Sequence, residues 1–408
     1  MGLEEMIFED SGPAHMMIKS GDGSSLIKMK EIDWGNQEHR RCVAACLVKG
    51  AYVLQSDRSK RRLERDQLAP KWWESFQFRL DQVLECKCIH CKIPGTRKCT
   101  YGAIFEYVPP NGAPRHQSAP RYIVAFRGTM IGDPAICGDA AIDIKIVLNR
   151  QHDCSRFSNA RAKVLELLDS VVRRGGADNS GVWLAGHSLG ASIALDVGRD
   201  MMTRDNGPRW NVPTFLFNPP QVSPAAAIDW LPKPLKKLTK SVIHPASNVV
   251  KAAVVTTFLR SHEEYKEQLF EQLESWVPEM YVHDQDVICK GFIYYFEQRQ
   301  EMLDGRSWFS QEIAKIAEKQ SFRDMSVALH RDDGDKQRVQ PHLLPSARLW
   351  TNSRDGDSHG LQQWWKPDSE LKLRMVIVPL LSVGLWAIHL LANLSIHLLS
   401  TLFDFDLM

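Results

Sequence analysis

Residues 181–194, GVWLAGHSLGASIA, constrain the fold of this chain more than any other stretch. A short apolar run leads into the pentapeptide 186–190, and a segment compatible with a helix follows as far as residue 202. A strand, a sharp turn at a serine and a helix make a nucleophile elbow, which holds the serine hydroxyl at the top of a sheet. We therefore predict that Ser188 is a nucleophile. Its elbow consists of Gly186, His187 and Gly190.

The alternative is an ordinary glycine-containing turn whose serine caps the next helix, because Gly-x-Ser-x-Gly is a short pattern. The strand and helix signals on either side favour the elbow. Its two glycines would keep side chains out of the crossing between strand and helix. The N-terminus of the helix would stabilise negative charge that develops beside Ser188.

The composition and charge of the chain give no indication of nucleic-acid binding. The chain has 408 residues, enough for one large domain or two, and its 44% hydrophobic and 25% charged residues are ordinary for a globular protein. The net charge of +2 gives no argument for nucleic acid. The basic run at residues 58–65 is interrupted by an acidic residue, which is typical of a solvated surface. We therefore expect no nucleic-acid partner.

The N-terminus and the cysteines indicate a cytoplasmic protein. The first fifteen residues are acidic and lack the basic and then apolar pattern of a secretory signal. Gly2 is present, but Met6 stands where myristoylation needs Ser or Thr. The nine cysteines are an odd number, and without a signal peptide we expect them to remain thiols in a reducing compartment.

One cysteine-rich stretch raises the alternative of a zinc site. Four tetrahedral ligands could be drawn from Cys86, Cys88, His90, Cys91 and Cys99. However, the first two cysteines are only one residue apart and no second CxxC pair exists. The spacing favours a thiol-rich loop without metal.

Hydrophobic periodicity predicts alternating strands and helices, as in a parallel sheet covered by helices. Helices are predicted at residues 37–54, 72–84, 157–174 and 191–202, and a mostly helical segment at 249–276 is a candidate cap over the site. Strands are predicted at residues 101–107, 121–126, 182–185, 212–217, 280–283 and, as the final strand, 346–351. Residues 1–35 are polar, and we expect them to be poorly ordered.

A serine nucleophile needs a base and an orienting carboxylate, and in α/β-hydrolases these follow the serine in the order Asp, His. Asp286 lies shortly after a predicted late strand, with Asp284 as its competitor. His359 follows the last predicted strand, and His342 is the weaker candidate. The loop after an earlier strand supplies an oxyanion donor in such sheets, and Thr129 occupies that place, although a plain strand-ending turn is the alternative.

Together these residues resemble the class 3, or fungal-type, lipases, and most closely their plant intracellular subgroup. The resemblance covers the chain from about residue 33 to residue 368 and is carried by FRGT at 126–129, GHSLG at 186–190, DVI at 286–288 and a C-terminal histidine followed by Trp-Trp at 364–365. It implies Ser188 as nucleophile, Asp286 as orienting acid and His359 as base. The oxyanion donors that it implies are the amides of Thr129 and Leu189.

The chain departs from that pattern in two places. Ala191 stands where many lipases have a third glycine, and the cysteine-rich stretch 86–99 is foreign to the pattern. Members of the subgroup are often labelled GDSL esterase/lipase, but this chain has no Gly-Asp-Ser-Leu block; residues 356–359 read Gly-Asp-Ser-His. That label therefore does not describe the predicted mechanism.

The C-terminal tail suggests contact with a membrane. Residues 375–403 contain no Asp, Glu, Lys or Arg and exceed the ~20 residues that cross a bilayer. Basic residues precede the tail and acidic residues follow it, so a tail anchor would keep the catalytic domain cytoplasmic. The alternative is a buried or surface-docked apolar helix, which is consistent with the Pro, Asn and His residues within the tail.

The predicted fold is an α/β-hydrolase: a mostly parallel sheet flanked by helices, with a helical cap and an apolar C-terminal helix. Its parts are a poorly ordered segment (1–35), the hydrolase domain (36–368) and the tail (369–408). The predicted activity is hydrolysis of lipid or other acyl esters through an acyl-enzyme, without cofactor or metal. The alternatives are acyl transfer to an alcohol and a lipase-like binding or regulatory protein without turnover.

Overall fold

The computed structural model describes residues 17–18, 28–29, 32–62, 67, 72–87, 91, 99–109, 112–130, 155–173, 181–204, 208–221, 269, 271–304 and 344–378. Its helices are α1 (Gln37–Lys60), α2 (Ser155–Arg173), α3 (Leu189–Met202) and α4 (Gly291–Asp304). Its strands are β1 (Met17–Ile18), β2 (Lys28–Met29), β3 (Phe78–Glu85), β4 (Thr100–Tyr107), β5 (Tyr122–Phe126), β6 (Val182–His187), β7 (Thr214–Phe217), β8 (Glu279–His283), β9 (Ala347–Asn352) and β10 (Leu373–Val378). Single turns of 3-10 helix lie at Trp72–Phe76, Leu361–Trp365 and Asp368–Glu370.

Eight of the described strands form one sheet in the order β10-β9-β8-β7-β6-β5-β4-β3. Strands β5 to β9 pair in parallel, whereas β3, β4 and β10 are antiparallel at the two sides. Every residue of β5, β6, β7 and β8 is buried, as expected when helices cover both faces of a parallel sheet. The protein therefore has an α/β fold with a mostly parallel sheet.

The sheet divides the core into two layers because neighbouring side chains on a strand point to opposite faces. Leu184 belongs to the layer that α2, α3 and α4 cover, whereas Trp183 and Ala185 belong to the layer under α1. Asn36 is the N-cap of helix α1. Its side chain accepts a hydrogen bond from the amide of Glu38 at 2.9 Å.

The packed part of the chain begins before residue 36. Ile32 and Trp34 are buried, and the Trp34 ring makes edge contacts with Phe78, Tyr107 and Trp183. At least these residues of the segment predicted to be poorly ordered therefore belong to the core.

The structure confirms the predicted helices on either side of the elbow, the helix that starts at Gln37 and the predicted strands before and after them, with ends shifted by a few residues. The helix predicted at 72–84 is wrong. A 3-10 turn and strand β3 occupy that region, and β-bulges between Leu80 and Gln82 and between Leu84 and Glu85 break the alternation that would have revealed the strand.

Strand β9 is also not the final strand, because β10 pairs antiparallel with its outer side. Residues 375–378 of the predicted apolar tail are thus part of the sheet. Within the ranges given above, no helix is both long and apolar enough to cross a bilayer. Residues 379–408 and most of the predicted cap at 249–276 lie outside the described residues.

Candidate active site

The turn between β6 and α3 has the strained geometry of an elbow. Ser188 has φ 54° and ψ −125°, a conformation that residues other than glycine rarely adopt. A Cβ on Gly186 would lie 2.2 Å from the carbonyl oxygen of Gly190, and a Cβ on Gly190 would lie 2.2 Å from the carbonyl oxygen of Phe126. Both contacts are with backbone, so only glycine fits at either position.

Three predicted side chains from distant parts of the sequence meet at this turn. His359 Nε2 lies 2.9 Å from Ser188 Oγ, and His359 Nδ1 lies 2.7 Å from Asp286 Oδ2. The Asp286 side chain is 2% exposed, whereas that of His359 is 31% exposed. The serine is half-buried at the carboxyl end of β6, so the row runs from a buried acid to an accessible hydroxyl.

Asp286 is held as a carboxylate. Burial alone would raise its pKa, but hydrogen bonds from His359, Cys289 and Asn218 and the charge on His359 hold the pKa of Asp286 below its usual value. An ionised Asp286 accepts the Nδ1 proton of His359, which leaves Nε2 free to accept the Ser188 hydroxyl. This is the proton arrangement that a general base requires.

Two side chains that contact Asp286 were not predicted from the sequence. Asn218 Nδ2 lies 2.7 Å from Asp286 Oδ2 and 2.7 Å from the carbonyl oxygen of Ser358, and Cys289 Sγ lies 2.8 Å from Asp286 Oδ2. Asn218 directly follows β7, at the same edge of the sheet as Ser188. Its place after a parallel strand is a signal that could have found it, whereas nothing in the sequence distinguishes Cys289.

The competing candidates lie elsewhere or outside the described residues. Asp284 is exposed, and its carboxylate lies 3.5 Å from His283 Nδ1 rather than beside His359. The other ring nitrogen of His283 lies 2.7 Å from the carbonyl oxygen of Arg354. His342 is not among the described residues.

The predicted oxyanion loop approaches the elbow directly. A Cβ on Gly128 would lie 2.8 Å from both the carbonyl oxygen of His187 and Ser188 Cβ, so this glycine permits the close approach. The buried Arg127 donates to the carbonyl oxygens of Gly128 at 2.5 Å and Thr100 at 2.6 Å, which fixes the loop against β4. Thr129 follows on the half-buried rim, and Leu189 opens helix α3 beside the serine.

The cysteine-rich stretch is described only in part. Cys86 and Cys99 are buried, and their sulfur atoms accept hydrogen bonds from Arg156 at 3.3 Å and Arg127 at 2.9 Å respectively. Cys88 and His90 fall outside the described residues. Among the residues that are described, no cluster of three or more His, Cys, Asp or Glu side chains could bind a metal ion.

Comparison with known proteins gives one informative match. No family model and no solved structure matches the chain. A protein of Arabidopsis thaliana named GDSL esterase/lipase is 33% identical over 382 residues, which cover 88% of this chain and 99% of the relative. Identity at this level over nearly the whole of both chains establishes common descent. The chain therefore belongs to the esterase/lipase family that this plant protein represents.

Proposed function

We propose that this protein is a serine carboxylic-ester hydrolase that acts on lipid or other acyl esters. The observation that carries the proposal is the hydrogen-bonded row from Ser188 through His359 to Asp286, at the edge of the sheet where the parallel strands end. Each of the three side chains follows a different parallel strand. This is the placement of nucleophile, acid and base in an α/β-hydrolase, which is the fold class that we propose.

In the proposed reaction His359 removes the proton of the Ser188 hydroxyl, and the oxygen attacks the ester carbonyl carbon. The tetrahedral intermediate carries its negative charge on the former carbonyl oxygen, which the amides of Thr129 and Leu189 stabilise. The intermediate collapses when the ester bond breaks and His359 protonates the leaving alcohol. Water then attacks the acyl-enzyme by the same route and releases the acid.

The class 3 lipases are the subgroup that we favour. The candidate nucleophile lies in Gly-His-Ser-Leu-Gly at a strand-to-helix elbow, and the base precedes the Trp-Trp pair at Trp364 and Trp365. The Arabidopsis relative is named for a GDSL motif, which this chain lacks. The local geometry supports the elbow mechanism rather than the mechanism that the name suggests.

Labelling with a fluorophosphonate tests the proposal, because this probe reacts with an activated serine. The wild-type protein should label on the peptide that contains Ser188 and should hydrolyse a short-chain p-nitrophenyl ester, and Ser188→Ala should do neither. Ser192→Ala is the matched control, since it changes a half-buried serine one turn further along α3 and should behave as wild type.

The outcomes also separate the alternatives. Labelling with slow hydrolysis that an added alcohol accelerates, with formation of a new ester, would identify an acyltransferase. A folded wild-type protein that does not label at Ser188 would contradict the hydrolase proposal and would favour a binding protein.

A further inference from the structure

The hydroxyl of Tyr52 lies between the oxyanion loop and the elbow. Tyr52 is on α1, the helix that covers the face of the sheet opposite α2 and α3. Its oxygen accepts the amide of Gly128 at 2.7 Å and lies 2.8 Å from Nδ1 of His187. The other ring nitrogen of His187, Nε2, lies 2.8 Å from the carbonyl oxygen of His359. One unbroken row of hydrogen bonds thus joins the oxyanion loop, the elbow and the loop of the predicted base.

The chemistry of the end groups fixes where each proton lies. A carbonyl oxygen only accepts, so His187 Nε2 carries a proton and donates it to His359. Burial and the nearby His359 ring lower the pKa of His187 to about 3, so His187 is neutral at physiological pH and its Nδ1 accepts. The Tyr52 hydroxyl therefore donates to Nδ1 while its oxygen accepts the Gly128 amide. The direction of each hydrogen bond in the row is thus defined.

The groups at both ends of the row are closely packed. A Cβ on Gly128 would lie 2.4 Å from the Tyr52 hydroxyl oxygen, so that oxygen occupies the space beside the loop. The rings of His187 and His359 lie 5.2 Å apart between centroids, which places the buried ring directly against the predicted base. The Gly128 amide donates to Tyr52, and the next amide along the loop, that of Thr129, is the proposed oxyanion donor.

We propose that Tyr52 and His187 are positioning residues, which hold the Thr129 amide and the His359 imidazole in fixed register with the Ser188 hydroxyl. The proposal rests on the proposed ester hydrolase function. An oxyanion donor and a base must each lie within hydrogen-bonding distance of the same reacting group, and small misplacements are costly in rate. The hydrogen-bonded row ties both to one helix outside the sheet, so they move together.

Tyr52→Phe tests the first half of the proposal, because it removes only the hydroxyl and keeps the ring on α1. We expect kcat on a p-nitrophenyl ester to fall about 10- to 100-fold, less than the full loss of an oxyanion donor, with KM within about twofold. The rate of fluorophosphonate labelling at Ser188 should fall in parallel. Tyr107→Phe is the matched control: it removes a tyrosine hydroxyl hydrogen bond, to Gln77 at 2.8 Å, at the opposite end of the sheet.

Substitutions of His187 test the second half of the proposal, that His187 positions His359. The amide nitrogen of glutamine is the same number of bonds from Cα as His Nε2, so His187→Gln can still donate to the His359 carbonyl, whereas His187→Leu cannot. We expect His187→Gln to retain at least tenfold more kcat than His187→Leu at equal KM. Thermal unfolding of each variant shows whether it is folded at the assay temperature.

The results separate this inference from the proposed function. If wild type neither labels nor turns over ester, the hydrolase proposal itself fails. If wild type is active and Tyr52→Phe is as active as Tyr107→Phe, or His187→Gln is no better than His187→Leu, the positioning roles are overturned. In the double variant Tyr52→Phe with His187→Leu, the loss should be smaller than the product of the two single losses, because the two residues are coupled through their own hydrogen bond.

Discussion

At the scale of single residues, the elbow requires glycine at position 190, where there is no space for a side chain. Gly190 sits against the backbone of β5, where a methyl group would meet the carbonyl oxygen of Phe126 at 2.2 Å. The nearest atoms belong to the backbone of Phe126 and Arg127, so the strand and the helix would have to separate to make room for a methyl group. The close crossing is what places Ser188 beside the predicted oxyanion loop.

Gly190→Ala should therefore lower the free energy of unfolding by about 2–4 kcal/mol and abolish fluorophosphonate labelling at Ser188. Ala191→Gly is the matched control, since it introduces at the next position the glycine that many lipases have. It should keep full labelling. Urea unfolding and the labelling rate measure the two effects, and normal labelling of Gly190→Ala would contradict the steric argument.

Cys289 supports Asp286 through one thiol hydrogen bond. Asp286 has a lowered pKa in the folded protein, so its contribution to stability is present above the unfolded value of about 3.9 and is lost as pH falls through the folded value. Cys289→Ala removes a donor and should raise the pKa of Asp286. Cys289→Ser keeps a donor and serves as the control.

At pH 7 we expect Cys289→Ala to be about 1–2 kcal/mol less stable than Cys289→Ser. The difference should shrink as pH falls through the folded pKa of Asp286, which lies below its usual value. Chemical denaturation at several pH values measures it. A difference that stays constant as pH is lowered to the point where the folded protein loses stability would show that cavity formation, not the carboxylate, is responsible.

At the scale of elements, α2 and α3 pack through a buried acid. Asp196 on α3 is 2% exposed, and its carboxylate lies 3.4 Å from Arg161 on α2. Burial raises the pKa of Asp196 to about 6, and Arg161 and Arg199 only partly offset this effect. The folded protein therefore binds a proton here more tightly than the unfolded chain does.

The sign of the pH dependence follows. Asp196 contributes stability that is fully present below its unfolded pKa of about 3.9 and is lost as pH rises through 6. Asp196→Asn is neutral at every pH, so it should match wild type near pH 4 and exceed it by about 2–3 kcal/mol at pH 7.5. Urea unfolding across this range checks the prediction.

Glu166→Gln, an exposed carboxylate on α2, is the control and should show no such growth above pH 5. A constant difference between Asp196→Asn and wild type from pH 4 to pH 7.5 would contradict the assigned pKa.

The elements that sequence analysis found are those whose pattern is local. Strands β5 and β6 are unbroken apolar runs because helices cover both of their faces, and the residues that follow parallel strands led to Asp286 and His359. Strand β3 was missed because its bulges disturb the alternation. Strand β10 was missed because an apolar edge strand with exposed Met375, Val376 and Ile377 resembles the start of a longer apolar segment.

Within the site, contacts between distant residues set the limit of prediction. Asn218 and Asp286 are 68 positions apart, and Tyr52 and His187 are 135 positions apart. No periodicity in a single sequence encodes which polar side chains meet across a sheet, because strand order and helix placement decide it. The chain positions of the proposed nucleophile, acid and base could be predicted only because their order follows the order of the strands.

At the scale of the whole molecule, the uncharged tail predicts that the protein localises to membranes. Residues 379–403 contain no Asp, Glu, Lys or Arg. A full-length chain with an N-terminal fluorescent protein should concentrate at membranes in cells, and the same fusion ending at residue 378 should be diffuse. A diffuse signal from the full-length fusion would exclude the anchor.

The direction of β10 decides how such an attachment would orient the enzyme. Val378 pairs with Ala347, where β9 begins, whereas Leu373 pairs with Asn352, where β9 ends at the edge of the sheet that carries Ser188. The six residues of β10 span about 20 Å along the strand, so Val378 lies on the rim of the sheet opposite the rim that carries Ser188, Asp286 and His359. We propose that, if an anchor follows Val378 directly, the rim that carries Ser188 faces away from the lipid layer. The protein's substrates would then arrive from the aqueous side or from a second, facing surface.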